Sequence, residues 1–239
     1  MIIVLWPTVR PSTAYANAKK WMASATTPRQ VEFWFGVNSD ADKAALMQAE
    51  INTGMLDSRY SQCYLYKNAR QGVTYTATKM SRLAATKIKD EDILVLASDD
   101  FTAPPGWDEH LRNQYAYAWD GALIVHDGYK PETNIIPMPV VSGSVLRLLN
   151  GILYHPAYHH FYSDEELYYV ATELKRVKNL RGTDAPKFEH KHWSFNGARQ
   201  KDQFDARNQT KWDHDKAVYL SRKALPVEEK LKLPDWWVD

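Results

Sequence analysis

The sequence predicts an α/β fold in one domain: a mainly parallel, Rossmann-like sheet flanked by helices. Three observations predict it. Apolar runs and helically spaced stretches alternate through the first half of the chain. The clearest runs, "MIIVLW" and "ILVL", are continuous rather than alternating, which is the pattern of strands buried on both faces. No internal repeat, low-complexity tract or clean linker interrupts the 239 residues, and that length suffices for one substantial core.

The elements follow in order. "MIIVLWP" opens as a buried strand ended by Pro7. "PSTAYANAKKWMASA" has helical spacing, with Ser12 or Thr13 as its N-cap. A second strand runs from Val31 to Val37, and "DADKAALMQAEIN" is a helix stopped at Asn52 to Gly54. "SQCYLYKN" is a short third strand. In "GVTYTATKMSRLAATKIKD", Val73, Ala77, Met80, Ala84 and Ile88 recur at intervals of three and four, so they line one face of a helix. "DILVLAS" is the next strand; it stops at two adjacent acids, Asp99 and Asp100, before a Pro104 to Gly106 break and a helix start. "GALIVHDG" is another strand. Beyond it the pattern loosens into a short helix in "SGSVLRLLNG", a His- and Tyr-rich loop and a helix from about Asp164. "GTDAPKFEHKHWSF" holds at most one short strand, and the charged tail from "RQKDQF" is helical.

Composition narrows the function. Lys and Arg number 30 against 29 Asp and Glu, a net charge of +1, so there is no global basic footprint for nucleic acid, although "KHWSFNGARQK" is locally basic. The single cysteine, Cys63, excludes an intrachain disulfide and a Cys-based zinc site, and fits a reducing compartment. "MIIVLW" is too short for a signal peptide core, and no stretch approaches the roughly 20 apolar residues that span a bilayer. A soluble, cytoplasmic protein is expected. The Trp and Tyr content reads first as an aromatic core and second as platforms for sugars or bases.

Asp99 and Asp100 are the candidates for the chemistry, although two adjacent acids in a loop also read as a solvated turn. In a parallel sheet, ligands bind outside the carboxyl ends of the strands. A carboxylate fixed there can share a hard divalent cation such as Mg2+ or Mn2+ with a diphosphate. A second Asp-x-Asp, Asp213 and Asp215, lies in the helical tail and reads as a solvated face. His155, His159 and His160 in "YHPAYHHFYSDEEL" match no strong zinc template and suggest, with their tyrosine neighbours, an acceptor-side loop.

With these residues in view, the chain resembles the GT-A-fold nucleotide-sugar glycosyltransferases, most of all the large family-2 type. "WPTVR" resembles that family's first strand end, and "VNSD" its nucleobase-reading acid. "GVTYTATKMSRLAATKIKDEDILVLASDD" resembles its helix leading into an Asp-x-Asp variant, and "FYSDEELYY" its catalytic-base segment. Two positions depart from the pattern: Ser98 stands where the metal motif has its first acid, and Ser163 where the base motif commonly has Glu.

The resemblance implies an inverting transfer of a hexosyl or pentosyl group from a nucleoside diphosphate, a UDP-sugar being favoured, to an acceptor hydroxyl. Asp100 would hold Mn2+ or Mg2+, assisted by Asp99, with His190 or His192 completing the site and His192 preferred for its neighbour Trp193. Asp164 would be the base; from the sequence alone it reads equally as a helix cap. Thr8, Arg10, Asn38, Asp40, Lys79, Arg82, Arg199 and Lys201 would serve the nucleotide and diphosphate. Residues up to about 125 would form the donor half, and those from about 126 to 239 the acceptor half and a helical tail. The acceptor could be a glycan, a lipid-linked glycan, a protein or a modified DNA base. Two other classes compete: a non-catalytic sugar- or nucleotide-binding relative, supported by Ser98 and Ser163, and a nucleotidyltransferase, disfavoured because "LWPTVRPSTAYANAKK" lacks glycine.

Overall fold

The computed structural model describes residues 1–53, 61–66, 73–116, 119–191 and 203–237. Strands β1 (Ile2–Pro7), β2 (Val31–Val37), β3 (Ser61–Leu65), β4 (Ile93–Leu96), β6 (Ala122–Ile124), β7 (Val140–Ser142) and β8 (Val177–Asn179) make a seven-stranded sheet in the order β3-β2-β1-β4-β7-β6-β8. All neighbours are parallel except that β7 runs antiparallel to both β4 and β6. Two further strands, β5 (Phe101–Thr102) and β9 (Glu189–His190), pair antiparallel as a separate small sheet. This is the mainly parallel, single-domain α/β fold that the apolar runs predict.

The strand order places the site. β1 leads outward to β2 and β3 on one side, while β4 lies on its other side, so chain direction switches between β1 and β4. Such a switch opens a crevice at the carboxyl ends of the strands. Because β7 is reversed, its amino end lies at that same edge: the Leu96 amide at the end of β4 donates to the Pro139 carbonyl (2.8 Å). The β6–β7 connection, residues 125–139, therefore lies at the crevice.

Both faces of the sheet are covered, which is why β1 is continuously apolar. Ile2, Val4 and Trp6 pack with Tyr15 and Trp21 of α1 (Pro11–Ser24). Ile3 and Leu5 pack on the other face. α2 (Asp40–Thr53) follows β2, and α3 (Val73–Lys87) presents buried Ala77, Met80 and Ala84 to that second face, as its spacing predicts. Gly36 of β2 lets α3 approach: a Cβ there would sit 2.2 Å from Met80 Sδ. α4 (Trp107–Gln114) buries Trp107 and Leu111 on the first face, and α5 (Gly143–Leu148) buries Val145 and Leu146 on the second. The aromatic content is chiefly core: Trp6, Trp21 and Trp107 are fully buried, and the last two donate their indole N–H groups to main-chain carbonyls.

α6 (Ser163–Glu173) precedes β8, and α7 (Gln203–Gln209), α8 (Trp212–Arg222) and α9 (Val227–Lys230) form the tail. Two expectations are corrected. The first helix begins at Pro11 rather than after Ser12 or Thr13; Arg10 is its N-cap, with no side-chain cap. Proline suits the first helical position because its missing N–H would have had no partner there. Asp215 is not on a solvated face. It is fully buried and accepts from the backbone amides of His159, His160 and Phe161 at 2.8 Å each, so α8 is fastened to the loop before α6. Among the described residues, no helix is long and apolar enough to cross a membrane.

Candidate active site

The end of β1 and the end of β4 meet at Asp99. Its carboxylate accepts from Trp6 Nε1 (2.8 Å) and from the Thr8 hydroxyl (2.9 Å), and Arg10 lies 3.8 Å away. The Thr8 hydroxyl accepts in turn from the Arg10 amide (2.8 Å), and Asn17 Nδ2 of α1 donates to the Asp99 carbonyl (2.8 Å). Burial pushes the Asp99 carboxyl up to about 6, against the Trp6 and Thr8 hydrogen bonds and the Arg10 charge; neighbouring Asp100 adds to the rise. Asp99 thus faces β1 and braces Thr8 and Arg10.

Asp100 faces the other way. Ser98 Oγ donates to Asp100 Oδ1 (2.6 Å) and so orients that carboxylate. His190 Nε2 lies 3.4 Å from Asp100 Oδ2. The small sheet creates this meeting: β5 continues directly from Asp100, Phe101 is in register with His190, and the Lys191 amide donates to the Asp100 carbonyl (2.7 Å). The His190 ring stacks on Phe101 at 4.1 Å, which fixes its plane. His190 reaches Asp100; the preferred His192, with Arg199 and Lys201, lies outside the described residues.

Asp164 arrives on the first turn of α6. The helix is preceded by Tyr162 in the left-handed region (φ 65°), a conformation costing a non-glycine residue about 1–2 kcal/mol. Stacking of the Tyr162 ring on Tyr219 (4.9 Å) and its contact with Trp212 (5.1 Å) hold it there. Asp164 Oδ1 accepts from the Glu165 amide (3.0 Å). Burial raises its carboxyl above the ordinary range, while the helix amides and the charge of His190 pull it back. Tyr129 and Tyr154 register both acids: burial first, then Asp164 and also Asp100, raise their hydroxyls. Asp100, His190 and Asp164 therefore share one electrostatic neighbourhood. A carboxylate and an imidazole 3.4 Å apart are close to the separation of about 3 Å that adjacent ligands of one ion adopt at bond lengths near 2.1 Å. The oxygen and nitrogen donors fit a divalent cation such as Mn2+.

Asp127 and Arg181 complete the surroundings unforeseen. Both side chains are fully buried and form a two-pronged pair, Nε to Oδ1 at 2.8 Å and a terminal nitrogen to Oδ2 at 2.6 Å. Arg181 also donates to the Thr133 and Ile135 carbonyls, Asp127 accepts from the Tyr129 amide (3.0 Å), and Tyr129 packs 5.8 Å from His190. The pair thus shapes the β6–β7 connection beside the acids. Two further acids on the first turn of α6 are tied to α8: Glu165 accepts from the Tyr219 hydroxyl, and Glu166 from the Tyr158 hydroxyl and from Arg222. His155 is structural, being buried and bonded to the Ala157 amide and the Lys232 carbonyl.

Thr8 and Arg10 stand at the crevice. Asn38, at the end of β2, accepts from the Thr76 hydroxyl of α3 (2.6 Å), and Asp40 is exposed on the first residue of α2. Lys79 and Arg82 are engaged elsewhere: the Lys79 ammonium lies 4.6 Å from the Trp237 ring, and Arg82 donates to the Asn150 carbonyl (3.0 Å).

No protein-family model matches the chain, and no curated protein does. Solved structures do, at low identity. TarS 1-349 of S. aureus, in complex with UDP-GlcNAc, superposes with a TM-score of 0.60 at 9% identity, over 96% of this chain and 69% of that one. The mannosyltransferase PcManGT from Pyrobaculum calidifontis, in complex with GDP-Man and Mn2+, gives 0.59 at 14% identity, over 96% and 69%. This is the GT-A fold. Glucosyl-3-phosphoglycerate synthase from Mycobacterium tuberculosis, in complex with Mg2+ and UDP, shares the GT-A architecture at a TM-score of 0.57 and 11% identity, over 95% and 80%. Against the longer TarS chain, this one spans 43% of the length. The GT-A layering is the one implied by the sequence resemblance, and its carboxyl-edge crevice is where Thr8, Asp99, Asp100, Asp164 and His190 converge.

Proposed function

We propose that the chain is a metal-dependent, inverting glycosyltransferase that moves a hexosyl or pentosyl group from a nucleoside-diphosphate donor to an acceptor hydroxyl. The observation that carries this reading is Asp100 and His190 meeting at 3.4 Å in the electrostatic neighbourhood of Asp164. GT-A neighbours solved with UDP, UDP-GlcNAc or GDP-Man, in two cases with Mg2+ or Mn2+, support the donor class. A cation held by Asp100 and His190 would neutralise charge building on the leaving diphosphate. Ser98 holds Asp100 in place for it.

Asp164 takes the proton of the acceptor hydroxyl as that oxygen attacks the sugar from the face opposite the diphosphate. Its raised pKa makes it a stronger base than an exposed carboxylate, and the α6 amides hold one oxygen so that the group keeps its orientation. Thr8 and Arg10, braced by Asp99, border the donor side. Asn38 and Asp40 are the candidates for reading the base. The donor half is the part up to about residue 125, and the acceptor half the remainder. The acceptor is a molecule with a free hydroxyl.

Calorimetric titration of UDP and GDP with Mn2+ and with EDTA, on wild type and Asp100→Ala, tests the reading. Nucleotide binding that needs both the metal and Asp100 supports it. Binding indifferent to both overturns the metal role. Metal-dependent binding without sugar transfer to any acceptor class would point instead to a non-catalytic binding relative.

A further inference from the structure

A second cluster of metal-ligating side chains lies outside the crevice. His159, His214 and Asp215 each bring one ligand atom within 4.8 Å of the others. His214 Nδ1 is 2.9 Å and His159 Nδ1 3.6 Å from Asp215 Oδ1, and the two imidazole rings are 4.1 Å apart. Ligands on a tetrahedral zinc ion, at bonds of about 2.0–2.1 Å, are about 3.3 Å apart, a separation that these two distances bracket.

The hydrogen bonds of Asp215 leave the right opening. Oδ2 accepts from the His160 and Phe161 amides and Oδ1 from the His159 amide, so both oxygens are held by the main chain. The direction left at Oδ1 points to the two imidazole nitrogens. Asp215 is fully buried, whereas the side chains of His159 and His214 are 40% and 48% exposed, so the cluster lies at the edge of the surface. Two imidazoles, one carboxylate and a free position suit a borderline divalent cation.

We infer that His159, His214 and Asp215 form a structural metal site for zinc or a similar ion. The ion takes the place of the proton between His214 Nδ1 and Asp215 Oδ1. It ties the start of α8 to the loop that delivers α6, and water fills its open position. The site is independent of the proposed transferase chemistry and shares no residue with it.

The test uses the full chain stripped of metal, with Zn2+ as the calorimetric probe and Co2+ as the absorbing one. Wild type, His159→Ala, His214→Ala and Asp100→Asn are compared, with circular dichroism confirming that each is folded. The expected result is a Zn2+ site and a low-coordinate Co2+ visible band that wild type and Asp100→Asn share. Each histidine variant should lose the band and bind Zn2+ at least about 100-fold more weakly. Zn2+ should also raise the unfolding midpoint of wild type but not of His214→Ala. Zn2+ binding left intact in both histidine variants overturns the site, as does no binding at all. Loss in Asp100→Asn alone overturns it too, by moving the ion to the crevice.

Discussion

Asp99 is a carboxylate whose burial raises its pKa, and the sign of that shift gives a stability prediction. In the fold its carboxyl titrates at about 6 rather than 3.8, so the native state holds the proton more tightly than the unfolded chain. Stability from this group is complete below about pH 4 and is lost as pH rises through about 6, by roughly 2–3 kcal/mol. Urea unfolding in EDTA between pH 4 and 7 should show that decline, and Asp99→Asn should flatten it; parallel pH profiles for the two proteins would refute it. Asp164 makes the complementary prediction for catalysis. Asp164→Asn should lower kcat by about 10²–10⁴-fold while donor binding measured by calorimetry is unchanged. The place of Asp99 and Asp100 just beyond β4 was legible, because the apolar run stops at them; Asp164 was not singled out by the sequence, where it reads equally as a helix cap. The choice between His190 and His192 was not legible either, because alternate residues on a strand face the same side. The register of Phe101 with His190 brings His190 to Asp100, while His192 lies outside the described residues.

For the elements, legibility follows length. β2 spans the residues its sequence marks, Val31–Val37, and α3 buries the face its spacing marks. β5, β7 and β8 have two or three residues each and show no period of their own; they exist only through their partners. The Asp127–Arg181 pair was equally invisible, since its members stand 54 positions apart. It joins the stretch after β8 to the β6–β7 connection, and removing one charge strands the other in the interior. Arg181→Ala should cost about 3–5 kcal/mol in denaturant unfolding, and a cost under 1 kcal/mol would contradict the buried pairing. Gly143, where β7 turns into α5, is a second constraint: a Cβ there would fall 1.9 Å from the Lys89 carbonyl. Gly143→Ala should destabilise by about 1–3 kcal/mol with m unchanged, because the obstacle is backbone and cannot swing aside.

On the scale of the whole molecule, one reversed strand organises the site. β7 brings the β6–β7 connection to the edge where β1 and β4 end, and the sheet then gathers Thr8, Asp100, Asp164 and His190 from four distant parts of the chain. Ligands that bridge such parts stabilise the fold as a unit. At 100 times their dissociation constant, UDP with Mn2+ should add about 2.7 kcal/mol to unfolding, an increment that EDTA or Asp100→Ala removes. The Lys191 amide, bonded to the Asp100 carbonyl at 2.7 Å, sits where the two-residue strand of His190 closes on Phe101 and Thr102. So short a zipper opens more often than the rest of the sheet, and that amide proton is a natural gauge of it. If Asp100 and His190 hold one ion as proposed, exchange of that amide with deuterium should slow when the ion binds. A single exchange rate, followed by NMR with no added label on the nucleotide, would report occupancy of the crevice from inside the backbone.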